Sequence, residues 1–201
     1  MWKLGPAWED EARLAKAWRS AEPFPHLVFD DVVGAERLPD LLAVLDEEPV
    51  DTFVSEIYQF DASRPEPRTE GLRRLREELA ATFAPPLSRI TGKAVTRVDL
   101  RAYAYREGHY LLPHSDHQQD VGRVLAFAYY APSPSPPTGG ELEMFRCLLD
   151  EKDAIIATDS WTVIEPRADR LVVFEVGDVS LHQVREVLSG LRVSLSGWFY
   201  P

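Results

Sequence analysis

Sulfur is scarce in this chain, with one cysteine, Cys147, and two methionines among 201 residues. A lone thiol cannot close an intrachain disulfide, so nothing here calls for an oxidising compartment. Cys147 reads as a small buried hydrophobe rather than a nucleophile. Basic charge is also short. Lys and Arg number 22 against 33 Asp and Glu, giving a net charge of −11. Non-specific nucleic-acid binding needs a basic face, and anionic membranes repel an acidic one, so both partners are disfavoured. The acidic balance aids solubility and would suit a basic protein partner. No apolar run approaches the roughly 18 residues of a membrane span. The opening MWKLGPAWEDEARL lacks the apolar segment of a secretory signal, so the expected location is cytoplasmic. No internal repeat is evident, and one domain over 1–201 is expected.

What is present divides into two textures. Residues 1–92 read as helix-rich. WEDEARLAKAWRSA (8–21) and AERLPDLLAVLDEE (35–48) have helical spacing, the second with its proline near the first turn. TEGLRRLREELAATFAPPLSRITG (69–92) sets Leu72, Leu75, Leu79 and Phe83 on one face, and Pro85-Pro86 should end or kink it. Between these helices, 20–33 reads as a strand and turn, and TFVSEIYQF (52–60) as one strand. From 94 to 200 the chain turns to short β-prone runs: 94–105, 110–116, 123–131, 139–145, 169–177, 179–187 and 191–200. That pattern predicts a mainly β sandwich or barrel with the helices against one outer face. APSPSPPT (131–138) is too proline-rich for a central strand and reads as a surface loop.

One short stretch, LLPHSDHQ (111–118), concentrates metal-binding chemistry. Residues i and i+2 of an extended segment share a face, so His114 and Asp116 can meet one metal. His182, on another predicted strand, supplies a third ligand. Two imidazoles and one carboxylate on one face of a divalent ion leave the opposite positions open, the facial triad of non-haem Fe(II) sites that activate O₂. In LRVSLSGWFY (191–200), Arg192, Ser194 and Ser196 alternate against Val193, Leu195 and Trp198, the latter group read as core. An arginine directed into a barrel is costly unless it meets an anion. Its planar guanidinium fits a carboxylate in bidentate fashion, and Ser194 adds a hydroxyl. A metal beside an arginine-lined slot suits 2-oxoglutarate.

With those residues in place, the sequence resembles the Fe(II)/2-oxoglutarate-dependent oxygenases, and within them the ribosomal-protein prolyl hydroxylase group. The resemblance runs over 24–200 in order, and SLHQVREVLS with RVSLSGWFY is its most specific part. Tyr105-Arg106-Glu107-Gly108 stands where the prolyl-hydroxylase-like branch has Tyr-x-x-Gly. The resemblance implies a double-stranded β-helix, or jelly roll, supported by an N-terminal helical layer. It implies Fe(II), 2-oxoglutarate and O₂, with ascorbate as an auxiliary reductant. His114, Asp116 and His182 would hold iron. Arg192 would bind the far carboxylate, Tyr105 would donate a hydrogen bond to it, and Leu111 would line the cosubstrate pocket. The chain departs from the group at Ser115, where an acid is usual, and in a shorter His182–Arg192 interval. The second barrel domain of the eukaryotic members is not among these residues.

The reaction implied is oxidative decarboxylation of 2-oxoglutarate to succinate and CO₂, coupled to hydroxylation of an unactivated C–H bond. Asp116 favours hydroxylation over halogenation, because family halogenases lack that carboxylate. The first substrate reading is a prolyl residue in a protein, a basic ribosomal protein among the candidates. The second is a free amino acid or natural-product intermediate, and the third a non-catalytic peptide-binding jelly roll. The remaining residues receive structural readings. His117 is expected at the surface or behind the ligands, His109 solvated in a turn, His26 structural, and Asp169 a turn residue. Phe127, Tyr129 and Tyr130 read as core, with one of them a candidate to face substrate. Arg123 would meet either substrate or a surface acid.

Overall fold

The computed structural model describes residues 1–201. Its helices form where apolar stripes meet capping residues. α1 (Glu11–Ser20) begins at Asp10, whose carboxylate accepts the Arg13 N–H at 2.9 Å, and it buries Leu14 and Trp18. After β1 (His26–Asp30) comes α2 (Leu38–Glu47), with Pro39 in its first turn where no N–H is needed. β2 (Asp51–Val54) and β3 (Tyr58–Ala62) precede α3 (Glu70–Thr91), which starts at a Thr69 cap and stops at Gly92, φ 74°. The β-rich half follows as β4 (Arg97–Arg106), β5 (Tyr110–His114), β6 (Leu125–Ala131), β7 (Thr138–Gly139), β8 (Leu142–Leu149), β9 (Ile155–Ile164), β10 (Arg170–Glu175), β11 (His182–Val184), β12 (Val187–Ser189) and β13 (Leu191–Tyr200).

One antiparallel sheet runs β1-β10-β6-β13-β4-β3-β5-β11-β8-β9, with β2 attached to β3, and β12 pairs β7 separately. Alternate residues of its strands feed two cores. Leu125, Phe127 and Tyr129 of β6 and Leu171 and Val173 of β10 pack toward α1 and α3, with Leu14, Leu79 and Phe83. The opposite parity, Ala126, Ala128 and Tyr130 with Val172 and Phe174, meets Leu142 and Met144 of β8 and Ile164 of β9. The sheet therefore curls over itself, bringing β8 and β11 across the inner face of β6 and β10, in the curled half-barrel of a jelly roll.

Four segments differ from the expectation. α3 runs unbroken through Pro85 and Pro86. Each proline forfeits a backbone bond to the preceding turn, yet the buried stripe resumes beyond them at Leu87 and Ile90, so packing on both sides holds the helix together. Residues 52–60 form a hairpin rather than one strand. Ser55 reverses the chain, donating its N–H to Tyr58 O at 2.8 Å and accepting from Ile57 N at 3.2 Å through Oγ. β9 was not expected at all. Nearly all of its residues are exposed, so it carries no half-buried alternation to reveal it. The segment 179–187 also divides, into β11 and the start of β12.

Candidate metal centre and cosubstrate cavity

β5 and β11 pair with His114 opposite His182, which sets the two imidazoles side by side, ring centroids 4.4 Å apart. Asp116 does not ride on the strand as expected, because β5 ends at His114. The chain is turned there by Ser115, whose Oγ donates to Gly177 O at 2.8 Å and accepts from His117 N at 3.1 Å. The turn still delivers the buried Asp116 carboxylate to the histidines: Oδ2 is 3.5 Å from His182 Nε2 and Oδ1 is 3.8 Å from His114 Nε2. The three potential ligand atoms lie within 4.8 Å of one another.

Both tautomers are fixed by main chain. His114 Nδ1 is 2.9 Å from Leu112 O and His182 Nδ1 is 3.0 Å from Ser180 O. A carbonyl only accepts, so each Nδ1 carries the proton and each Nε2 lone pair faces Asp116. Burial holds the His182 imidazole down to about 4, against the pull of Asp116 and with the push of His114, so it is neutral and ready to ligate at physiological pH. Two imidazole nitrogens and one carboxylate oxygen, turned to one side, fit a divalent iron with open positions.

β13 places Arg192 opposite Tyr105 of β4, deep in the same hollow. Arg192 is 3% exposed; its guanidinium lies 4.7 Å from the Tyr105 ring centroid and 4.9 Å from that of Tyr130, and Nη1 donates to Ser194 Oγ at 3.2 Å. Its Nε has no partner, nor has the buried Tyr130 hydroxyl. Burial pushes the hydroxyls of Tyr105 and Tyr130 well above the ordinary phenol range while Arg192 pulls them back, so both remain O–H donors. Buried donors are almost always paired in folded proteins, and a carboxylate entering here would pair Nε and the Tyr130 hydroxyl together. The residues fit a carboxylate-bearing cosubstrate on this observation.

The hollow is a cavity of about 450 Å³ whose lining includes His114, Asp116, His182, Arg192, Tyr105 and Leu111. Ser194 contacts Arg192 from behind and does not line it. Two of the five buried side-chain N and O atoms without partners belong to residues that line this space, Arg101 Nη2 and Arg192 Nε; two more belong to residues packed against lining side chains, Tyr130 against Arg192 and Arg123 against Trp198. Arg101 gave no sequence signal, and Tyr130 only the one it shared with Phe127 and Tyr129. Every residue of β6 is buried, so neither hydrophobicity nor period distinguishes Tyr130 from Tyr129, which turns to the other core.

Several neighbours are placed differently from the sequence reading. Trp198 shares the parity of Arg192 and lines the cavity, rather than facing the core with Leu195. Arg123 meets no acid: its guanidinium stacks 3.6 Å over Trp198, and Nη1 donates to the Asp116 main-chain O at 3.2 Å. His109 is buried, 7% exposed, because the turn folds under Val187, whose N–H donates to His109 O at 3.0 Å. Asp169 is more than a turn residue. Buried at φ 63°, it accepts from Val33 N and Gly34 N at 2.8 Å and from Tyr129 Oη at 3.2 Å, latching the loop before α2. Cys147 is half-buried, with Sγ 3.5 Å from Val179 O. His117 is exposed, 3.5 Å from Asp178, and His26 Nδ1 lies 2.9 Å from Phe24 O.

A curled antiparallel sheet holding a His-Asp-His face beside a buried arginine defines the class of non-haem oxygenases that use an oxo-acid cosubstrate. Residues 100–200 match the 2OG-Fe(II) oxygenase superfamily, and the chain belongs to that family. It is a dioxygenase taking Fe(II), 2-oxoglutarate and O₂, which sets aside a non-catalytic barrel. Two similar proteins are prolyl 3-hydroxylase OGFOD1 of Xenopus laevis, 32% identical over 206 residues (96% of this chain, 39% of that protein), and its Mus musculus counterpart, 32% over 192 residues (89% and 33%). The chain thus spans little more than a third of these relatives. Among solved structures, a Pseudomonas putida prolyl-4-hydroxylase superposes with TM-score 0.68 at 20% identity, covering 93% of this chain and 98% of that one. A Trichoplax adhaerens prolyl hydroxylase in complex with a hypoxia inducible factor peptide fragment gives 0.69 at 16%, covering 98% and 94%. These two share the fold.

Proposed function

We propose that the protein hydroxylates a prolyl residue of a protein, with His114, Asp116 and His182 holding Fe(II) and Arg192, Tyr130 and Tyr105 holding the distal carboxylate of 2-oxoglutarate. The observation that carries this reading is the unpartnered buried Arg192 Nε in the same cavity as His114, Asp116 and His182, with the unpartnered Tyr130 packed against that guanidinium. When bound, the iron supplies the oxygen chemistry that 2-oxoglutarate decarboxylation drives. The protein's own groups act by position. Leu112 O and Ser180 O fix the imidazoles, and Ser115 fixes the approach of Asp116. The Arg192 guanidinium, flanked by two rings, presents a fork that is costly to leave empty and therefore selects a diacid. The apolar walls, Leu111, Phe174 and Val184 among them, keep water from the reacting centre.

The prolyl substrate is supported by the names of the 32%-identical relatives. The Arg123–Trp198 stack beside Asp116 provides a flat face suited to a pyrrolidine ring. A net charge of −11 suits a basic partner, and a ribosomal protein in the cytoplasm is the candidate. Residues 1–201 are proposed to act as one domain. The test is incubation of the protein with Fe(II), 2-oxoglutarate and cell extract, followed by peptide mass spectrometry. A gain of one oxygen on a proline, matched by succinate, is expected; succinate matched only to an oxidised metabolite would overturn it. That second reading, a free amino acid as substrate, is favoured by one observation, an unpaired arginine at the cavity wall, Arg101.

A further inference from the structure

Two arginines line the cavity, and its single acid, Asp116, faces the histidines. If Arg192 takes the cosubstrate, Arg101 is left with no anion. Arg101 stands on β4 two residues before Tyr103 and four before Tyr105, so by strand alternation all three point inward. It is not a loose surface side chain. Nε donates to Ser63 O at 2.7 Å, and the guanidinium sits 5.1 Å from the Phe53 ring centroid and 5.3 Å from that of Tyr103. Nη2 is sealed from solvent without a partner. The side chain is held in one orientation, with its free donor left over.

We infer that Arg101, with Tyr103 beside it, is a carboxylate subsite for the substrate, so that the enzyme selects a target residue with an acid group next to it. A main-chain carbonyl would satisfy one N–H but leave the positive charge uncompensated in a mainly apolar cavity, whereas a carboxylate supplies both. The inference deepens the proposed function and rests on it. The acid could be a Glu or Asp flanking the target proline in a protein, or the α-carboxylate of a free amino acid. The outer surface and the cavity need not agree in sign, since −11 acts at long range on a whole partner and Arg101 acts on one group in contact.

The test uses peptides with one proline and a glutamate walked along the flanking positions, each paired with its glutamine counterpart, and free proline paired with prolinamide. Substrate-dependent succinate release is measured. With wild-type enzyme, one acid should lower KM about 10- to 100-fold relative to its amide. Arg101→Gln should erase that preference while KM for 2-oxoglutarate moves less than about twofold. Arg101→Lys should retain part of it, since the charge remains and the fork is lost. A preference confined to the peptides assigns a side-chain acid; one confined to free proline assigns the α-carboxylate. Turnover without any acid preference in wild type overturns the subsite alone, and this comparison does not depend on whether an Arg101 variant folds. An equal loss of all substrates and of 2-oxoglutarate in Arg101→Gln also overturns it. No stimulation by either series overturns the prolyl reading and the subsite together.

Discussion

Arg192 and Tyr130 show how a single buried donor reports on an absent partner. Arg192→Ala should raise KM for 2-oxoglutarate by about 100-fold, because it removes a charge-assisted bidentate contact, while iron affinity changes by less than about threefold. Kinetics against cosubstrate and metal titration separate these effects, and equal losses would argue against the division of labour. Tyr130→Phe makes a sharper distinction. Its hydroxyl has no partner, so removing it should leave the melting temperature of the ligand-free protein unchanged or slightly raised. The same variant should raise KM for 2-oxoglutarate about tenfold. At this scale the chain was legible where chemistry is rare. His114, Asp116, His182 and Arg192 stand out as types that a barrel interior tolerates only for a reason. Trp198 follows the strand period rather than its hydrophobicity: 192 and 198 have the same parity on β13, so the indole lines the cavity with Arg192.

Elements hold these residues in place. β11 is short, and side-chain bonds to Glu143 reinforce its antiparallel pairing with β8. That carboxylate accepts from Arg185 Nε at 2.7 Å and Nη2 at 2.9 Å and from Gln183 Nε2 at 2.6 Å, just beyond His182, which is in register with Met144. The Arg185 hydrogen bond holds the Glu143 carboxyl down to about 2 from the ordinary 4.5, opposed by its burial. A depressed folded-state value means the contribution is complete above the unfolded pKa of about 4.5 and is lost as pH falls toward about 2. Glu143→Gln should therefore cost about 1–3 kcal/mol at neutral pH, a range reduced because the Arg185 partner is partly exposed. Denaturation of the two proteins from pH 7 downward should show the difference shrinking over that acid window; a difference independent of pH would remove the charge from the explanation. α3 offers a second test. Pro85 is exposed and withholds a hydrogen bond from the turn before it. Pro85→Ala should stabilise the protein by about 1–2 kcal/mol in chemical denaturation, part of the usual interior-proline penalty. The sequence revealed this helix through its stripe and concealed its continuity, since local rules stop it at Pro85 and only packing carries it on. It concealed β9 for the opposite reason: a strand wet on both faces imposes no pattern.

For the whole molecule, the distribution of charge carries more than its sum. The chain is acidic, yet its main cavity holds two arginines against one carboxylate that the histidines engage. Filling that cavity should stabilise the fold by mass action. With Mn(II) in place of Fe(II) to prevent turnover, and 2-oxoglutarate at about 100 times its Kd, the gain is about 2.7 kcal/mol, or roughly 5–10 °C in melting temperature for a protein of this size. EDTA should abolish most of the shift. A shift that survives EDTA would place the cosubstrate on Arg192 without the metal.

The sequence by itself determined the class of fold, the three ligand types and the inward arginine, because each is enforced by local physics: period-two strands, turn residues, and the cost of burying charge. Only the tertiary structure decided which residues share the cavity. β5 meets β11, β6 faces β8 across the curl, and Arg101 and Trp198 line one cavity with His114, Asp116 and His182, while Tyr130 packs against Arg192. Strand pairing and curl set those distances, and no window of sequence contains them. An unpartnered N–H becomes visible only when its surroundings are closed.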